Sequence, residues 1–369
     1  MTEGAQTRTM PAPATVYIPV AQHIGKPAKP VVAPGDSVKR GQLIAAAEPG
    51  LSANIFASVS GTVKAIEDRV TVTGKCPHIV IENDGALDTV SLEPMPGDEW
   101  TKEQLLARIA ECGIVGMGGA GFPTAVKLDH RTSVDTFIIN AAECEPFITC
   151  DYRILLERTD DFLDGALLLA KAAGVNHVTV AVEDNKRDAA QVISDRIAEN
   201  QLNAEVVIVK TKYPQGAEKQ LIYAVTKRKV PVGKLPSAVG CIVCNVHTAY
   251  STHLAVRKGQ PLYERYMTVA GRGVQTPSNL LVAIGTTYAD AIAFCGGDRD
   301  EVVKLISGGP MMGLAVAGAE ISVTKTSGSL LLLTREEAFT DSPGPCINCG
   351  KCAKACPMLL MPMYIDACA

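Results

Sequence analysis

Hydrophobic positions along the chain change rhythm twice. Between 16 and 95 the apolar residues come in short runs, at 16–20, 31–32, 43–46, 61–66 and 78–81. Glycine and proline turns such as Pro34-Gly35-Asp36 and Asp84-Gly85 separate them. Such punctuation predicts short strands joined by tight turns. From about 100 the pattern alternates between 3.6-residue periodicity and short apolar runs. It predicts helices at 100–112, 163–173, 186–199, 216–226 and 246–256, and strands at 137–140, 178–182, 205–209 and 241–243. Thr101 is the candidate N-cap of the first helix and Gly174 the C-cap of the second. Alternating strands and helices predict a mostly parallel sheet covered on both faces. After Gly259 the pattern gives strands at 268–270, 280–284 and 302–307 with a helix at 288–295, a small unit of β-grasp type. Strand-like runs at 320–324 and 329–334 lead into a cysteine-rich C-terminal stretch. Residues 1–15 are polar, with Pro and Ala, and predict a disordered tail.

Composition narrows the class. With 47 % hydrophobic and 20 % charged residues, the 369-residue chain is globular and long enough for several domains. A net charge of −4 speaks against a nucleic-acid surface. No stretch approaches eighteen apolar residues, so the chain is not expected to span a membrane itself. The opening residues carry no apolar signal segment, and the twelve cysteines are therefore expected in a reducing cytoplasm.

Four of those cysteines carry chemistry. Cys346, Cys349, Cys352 and Cys356, followed by Pro357, read C-x2-C-x2-C-x3-C-P, the ferredoxin-type spacing for a [4Fe–4S] cluster. Zinc ribbons instead need two C-x2-C pairs with a longer spacer between them. In ferredoxin runs the fourth cysteine ligates a second cluster. The sequence has no second run, so at most one cluster is expected, with Cys356 or Cys368 completing it.

A second candidate site surrounds Gly116-Met117-Gly118-Gly119-Ala120-Gly121. The pattern fits G-x-G-x-x-G, but a helix precedes it where a dinucleotide fingerprint needs a strand. Glycines still allow backbone N–H groups to approach an anion closely. Lys127 adds a positive charge one turn into the following helix. Asn140, Glu143 and Glu145 fall just past the end of a predicted strand, where open α/β sheets bind ligands. The 213–219 stretch opens a helix whose N-terminus can face an anion, and Asn245 and Thr248 begin another.

Together, GIVGMGGAGFPTAVKL (113–128), NAAECEP (140–146), KYPQGAEKQLI (212–222), CNVHT (244–248), GGPMMG (308–313) and the cysteine run resemble the RnfC family. Its members are cytoplasmic subunits of the Rnf ferredoxin:NAD oxidoreductase, an ion pump. The same motifs are similar to the FMN- and NADH-binding subunit of respiratory complex I. The resemblance implies a multidomain α/β protein. Its parts would be a tail (1–15), a lipoyl-like barrel-sandwich hybrid (16–99), a Rossmann-like α/β domain for FMN and NADH (100–258), a β-grasp domain of SLBB type (259–340) and a truncated 4Fe–4S segment (341–369).

The implied cofactors are FMN, NAD(H) and 4Fe–4S. The implied cofactor-binding residues are Gly116, Gly118, Gly119, Gly121, Phe122, Lys127, Asn140, Glu143, Glu145, Glu218, Asn245 and Thr248. Glu143 and Glu145 would orient the nicotinamide ribose, Glu145 and Glu218 would act in catalysis, and Asn245 and Thr248 would reach the FMN phosphate. The implied metal ligands are Cys346, Cys349, Cys352 and Cys356. Implied partners are the membrane and iron–sulfur subunits of the complex, with ferredoxin reached through one of them, and no nucleic acid. The location would be cytoplasmic, peripheral on the membrane through those partners. Two departures stand out: Met117 replaces an Arg of the complex I loop, and a second cysteine run is missing.

A soluble RnfC-like reductase, serving a cobalamin or proline reductase system, is the nearest alternative, and a non-catalytic nucleotide-binding scaffold is another. Elsewhere the residues read as structural. Residues three apart on a strand face opposite ways, so Cys241 and Cys244 are expected to be separate buried thiols. His247 and His253 are wrongly spaced for one metal, and Lys227-Arg228-Lys229 reads as a solvated face. Residues 35–44 and 57–66 resemble the two hairpins of a lipoyl half-barrel, yet 48–56 offers no lysine for a swinging arm.

Overall fold

The computed structural model describes residues 2–130, 132–299, 301–338, 344–356 and 359–368. It divides into a large unit, Met1–Glu337, and a small one, Ala338–Ala369.

Within the large unit, the N-terminal strands form two small antiparallel sheets. Thr15–Pro19, Gly74–Asn83, Gly61–Thr71 and Ser37–Val38 make one, and Lys29–Pro30, Leu43–Ala46 and Ile55–Phe56 the other. Val16, Ile18, Ile44, Val63, Ile79 and Ile81 are fully buried where the two sheets meet. Alternation along each strand supplies that inward face.

The middle of the chain folds as the alternation predicts. Helix α1 (Lys102–Glu111) begins at a capping box, with Thr101 and Gln104 each satisfying the other's backbone N–H. After the glycine loop come α2 (Thr124–Leu128), β1 (Thr136–Ala141), α3 (Cys150–Glu157) and α4 (Thr159–Ala172). Then follow β2 (Val178–Glu183), α5 (Arg187–Glu199), β3 (Ala204–Val209), α6 (Glu218–Thr226), β4 (Cys241–Asn245) and α7 (Val246–Arg257). The four strands are parallel, in the order β3-β2-β1-β4. Phe137, Ile139, Val180 and Val182 face the core shared with the barrel and α4. Ile138, Ala181, Cys241 and Val243 face α6 through Leu221 and Ile222. Cys241 and Cys244 are accordingly buried on opposite faces. Strand order reverses between β1 and β4, and a crevice at the carboxyl ends of those strands is where such sheets bind ligands.

A third sheet lies beyond α7. Glu264–Ala270 pairs antiparallel with Ser278–Ala283 and parallel with Ser329–Thr334, which pairs in turn with Val302–Ser307. The 329–334 run is thus the middle of the sheet, every residue buried, rather than a lead-in to the cysteines. The 320–324 run makes only a single bridge, Ser322 to Thr287.

The expected disordered tail is corrected. Arg8–Thr9 adds a short parallel strand beside Ser278–Ala283, Thr2 is buried with its hydroxyl 2.7 Å from Thr149 Oγ1, and the Thr7 N–H donates to Glu157. An exposed sheet edge offers unpaired backbone groups, and the tail satisfies them despite its polar composition.

In the small unit, Lys351–Ala355 and Pro362–Cys368 are short helices. Cys346, Cys349 and Cys352 are exposed and Cys356 is half-buried. Pro357 and the 340/341 boundary lie outside the described residues.

Candidate flavin site

A cleft of about 360 Å³ opens at the strand-order reversal. Asn140, the penultimate residue of β1, and Asn245, the last of β4, are register partners at its floor. The glycine loop forms one wall: Gly116, Gly118, Gly119, Gly121 and Phe122 all line it. Gly216, Ala217 and Glu218, at the start of α6, form the other. Every cofactor residue expected from the sequence borders this cleft except Glu143 and Glu145. A larger cavity of about 660 Å³ lies elsewhere, between Trp100, Leu163, Leu167 and Arg257. It contains none of the sequence-predicted residues.

The loop is braced from beneath. Gly116 N–H donates to Phe122 O at 2.8 Å, and Val115 and Pro123 bridge at its stem. Thr248 Oγ1 accepts the Met117 N–H at 3.0 Å and donates to Val115 O. Its hydroxyl therefore holds the loop, a use the family expectation of a phosphate contact did not include. Met117 is buried, so the residue replacing a loop arginine packs into the core. A Cβ on Gly118 would lie 2.9 Å from Asn245 Nδ2, whereas one on Gly119 would meet nothing. Gly118 is the close-approach glycine; Gly119 faces open space.

Across the cleft, Lys127 Nζ donates to Glu218 Oε1 at 2.7 Å. Asn140 Nδ2 donates to Gly216 O, tying the 212–217 loop to the floor. No side chain caps α6, so its first N–H groups are left to the cleft. Thr124, missed by sequence reasoning, lines the cleft with a buried hydroxyl that has no partner among the described residues. Cys244 also borders it, and burial pushes its thiol up to about 11, away from reactivity.

The two remaining acids have other duties. Glu143 accepts the N–H groups of Asp151 and Tyr152, at 2.9 and 3.3 Å, and so caps α3. It also pairs with Lys186 at 2.9 Å, with 6 % of its side chain exposed. Burial opposes the charge on Lys186, yet Glu143 holds its pKa above the ordinary value. The short spacing in Asn-Ala-Ala-Glu-Cys-Glu-Pro put both acids near the strand end but could not show which turned inward. Glu145 accepts from the Met311 N–H at 3.0 Å and from Tyr213 at 3.5 Å. It thereby fastens the 308–313 loop beside the sheet domain, and a Cβ on Gly309 would collide with its carboxylate.

Asp151, also unforeseen, stands behind the floor. Its Oδ2 accepts from Asn245 Nδ2 at 2.5 Å. Burial, reinforced by the neighbouring Glu143 charge, pushes its carboxyl up to about 7.

Comparisons with known proteins agree with this layout. Residues 109–253 match the Nuo51 FMN-binding domain, 1–86 the RnfC barrel sandwich hybrid domain and 266–315 the SLBB domain. The chain is 47 % identical to the RnfC-type component of the proton-translocating ferredoxin:NAD(+) oxidoreductase complex of Clostridium ljungdahlii, covering 96 % of this chain and 79 % of that protein. It is 41 % identical to the equivalent component of the Na(+)-translocating complex of Acetobacterium woodii, covering 96 % and 81 % respectively. It is 40 % identical to that of the ion-translocating oxidoreductase complex of Rhodobacter capsulatus, covering 100 % and 72 %. Among solved structures, an NAD+-reducing [NiFe]-hydrogenase in the H2-reduced state shares the fold at a TM-score of 0.53 and 19 % identity, over 64 % of this chain and 47 % of that one. With the FMN-type domain, the barrel and the SLBB sheet all present, the chain belongs to the RnfC family of ion-translocating ferredoxin:NAD(+) oxidoreductase complexes.

Proposed function

We propose that the cleft between the glycine loop and α6 holds FMN, exchanges hydride with NAD(H), and sends electrons to an iron–sulfur cluster on the C-terminal cysteines. The observation that carries this reading is the cleft itself. It joins a backbone wall without side chains, a lysine, an open helix N-terminus and an unpartnered buried hydroxyl at one strand-order reversal. That donor set fits a flavin phosphate and ring edge: N–H groups and Lys127 for the anion, amides and hydroxyl for the polar rim. When bound, FMN supplies the conversion between two-electron hydride transfer and single-electron steps.

The chain's own residues then bind and orient. Lys127 exchanges its Glu218 partner for an anion, and the freed carboxylate can accept a hydrogen bond from the nicotinamide side. Gly119 leaves room for a planar ring to lie against the backbone. Phe122, 37 % exposed at the rim, offers a surface on which a base can stack. Glu145 keeps the 308–313 loop in place at the cleft's neighbour and acts on nicotinamide only through that position. Cys346, Cys349, Cys352 and Cys356 supply thiolates for a [4Fe–4S] cluster.

Within the complex, ion movement falls to other subunits. Among the described residues no helix is long and apolar enough to cross a membrane, consistent with a peripheral protein held by membrane partners. The decisive experiment is flavin binding by the purified chain. Added FMN should lose fluorescence on binding, and NADH should bleach its visible absorbance under anaerobic conditions. A chain that leaves FMN fluorescence unchanged supports the non-catalytic scaffold instead.

A further inference from the structure

Asn245 is held in a single orientation. Its Oδ1 accepts the His247 N–H at 2.9 Å, capping α7, and its Nδ2 donates to Asp151 Oδ2. One amide N–H is left over, on a side chain that lines the cleft and abuts Gly118. We propose that Asp151 is a positioning residue for the flavin: through Asn245 it fixes the amide at the cleft floor, and its charge makes the flavin's redox equilibrium depend on protons near neutrality.

Asp151 suits this task because its cationic neighbours are engaged elsewhere. Lys186 Nζ is bonded to Glu143, and Glu143 also takes the Asp151 N–H. Arg265, fully buried, donates to the carbonyls of Tyr266 and Lys325. Cys150 is a buried thiol whose own ionisation burial opposes. Glu183, farther along the same cluster, is buried with one carboxylate oxygen unpartnered. Asp151 therefore has a neutral amide as its side-chain partner and a second carboxylate as its nearest charge. Glu143, Cys150 and Asp151 come within 4.8 Å of one another, so a second full negative charge there is opposed by repulsion. A proton retained on Asp151 relieves it. Losing that proton places a negative charge one hydrogen bond behind the residue that touches the flavin. Such a charge disfavours adding electrons to the ring.

The inference rests on the reading of the cleft as the FMN site, and the test separates the two. FMN affinity is measured first, on wild type and on Asp151→Asn. The oxidised-to-reduced flavin ratio is then read spectroscopically against a redox dye from pH 6 to pH 8. At pH 6 the two proteins should nearly coincide. At pH 8 the variant should hold about tenfold more reduced flavin, the scale of one nearby charge at a protein-like dielectric. Asp151→Ser, which keeps an acceptor and the preference for a helix start but carries no charge, should give the same result if the amide variant folds poorly. Parallel pH profiles for wild type and both variants, with FMN bound normally, overturn the role of Asp151 alone. A wild-type chain that binds no FMN overturns the cleft reading and this inference with it.

Discussion

Lys127 Nζ and Glu218 Oε1 lie 2.7 Å apart, closing the cleft between the helix after the glycine loop and the first residue of α6. Both side chains are about one-third exposed, so the pair adds under about 1 kcal/mol to stability. Its significance is that a cation and an anion stand ready at the site where an anionic cofactor would arrive. Lys127→Ala should leave the unfolding temperature nearly unchanged while weakening FMN binding by about tenfold, the value of one charge-assisted contact. Glu218→Gln, which frees Lys127, should bind FMN at least as tightly and slow its reduction by NADH. Fluorescence titration and anaerobic stopped-flow absorbance read the two effects. Unaltered affinity in the lysine variant would place the phosphate elsewhere.

Three glycines separate support from cradle. A Cβ on Gly216 would sit 2.4 Å from Ala142 O, a backbone atom that cannot step aside, so Gly216→Ala should destabilise the fold itself. Gly119→Ala meets nothing and should leave stability alone, but its methyl projects into the space assigned to flavin and should lower FMN affinity. Gly118→Ala falls between, because the atoms in its way belong to the Asn245 side chain, and displacing that amide should cost binding more than folding. Thermal unfolding and FMN titration on the three variants give the order. Equal FMN affinities for wild type and Gly119→Ala would sink the placement of the ring.

The acids at the end of β1 differ in what their loss should do. Glu143 is nearly buried against Lys186, and removing one partner of a buried pair leaves the other charge uncompensated. Lys186→Met should therefore destabilise the chain by about 3–5 kcal/mol. Glu145→Gln keeps an acceptor for the Met311 N–H and should cost under about 1 kcal/mol. Urea unfolding of both decides. A Lys186 variant as stable as wild type would mean that Glu143 is not the structural member of the pair.

These contrasts mark where the sequence was readable. Alternating periodicity located every strand of the parallel sheet, and the glycine spacing, Lys127, Asn140 and Asn245 identified the cleft, because local motifs carry that chemistry. Orientation was the part it withheld. Glu143 and Glu145 are two residues apart, and only tertiary packing turns the first onto Lys186 and the second onto Met311. Asp151 carries no local motif, since its partner Asn245 is 94 positions away. The ordered tail was hidden for a similar reason: its polar residues bind an edge formed some 270 residues later. The sheet's central strand, 329–334, looked like a connection because its neighbours in space are distant in sequence.

Lys325 gives a pH-dependent test of how the three modules are joined. It is fully buried, and its Nζ donates to Asn54 O in the barrel and Gly113 O just ahead of the glycine loop. No carboxylate pairs with it among the described residues, and burial brings its pKa down from 10.5 to about 7. The unfolded chain therefore binds more protons than the folded chain between those values, so stability should rise with pH across that interval. Each pH unit inside it is worth about 1.4 kcal/mol for this one group. Lys325→Met loses two hydrogen bonds and should be less stable throughout, but it also lacks this titration. The advantage of wild type over the variant should consequently widen by about 2–3 kcal/mol between pH 7 and pH 9. Urea midpoints at the two pH values measure it, and a gap that stays constant would show Lys325 to be charged in the fold throughout the range.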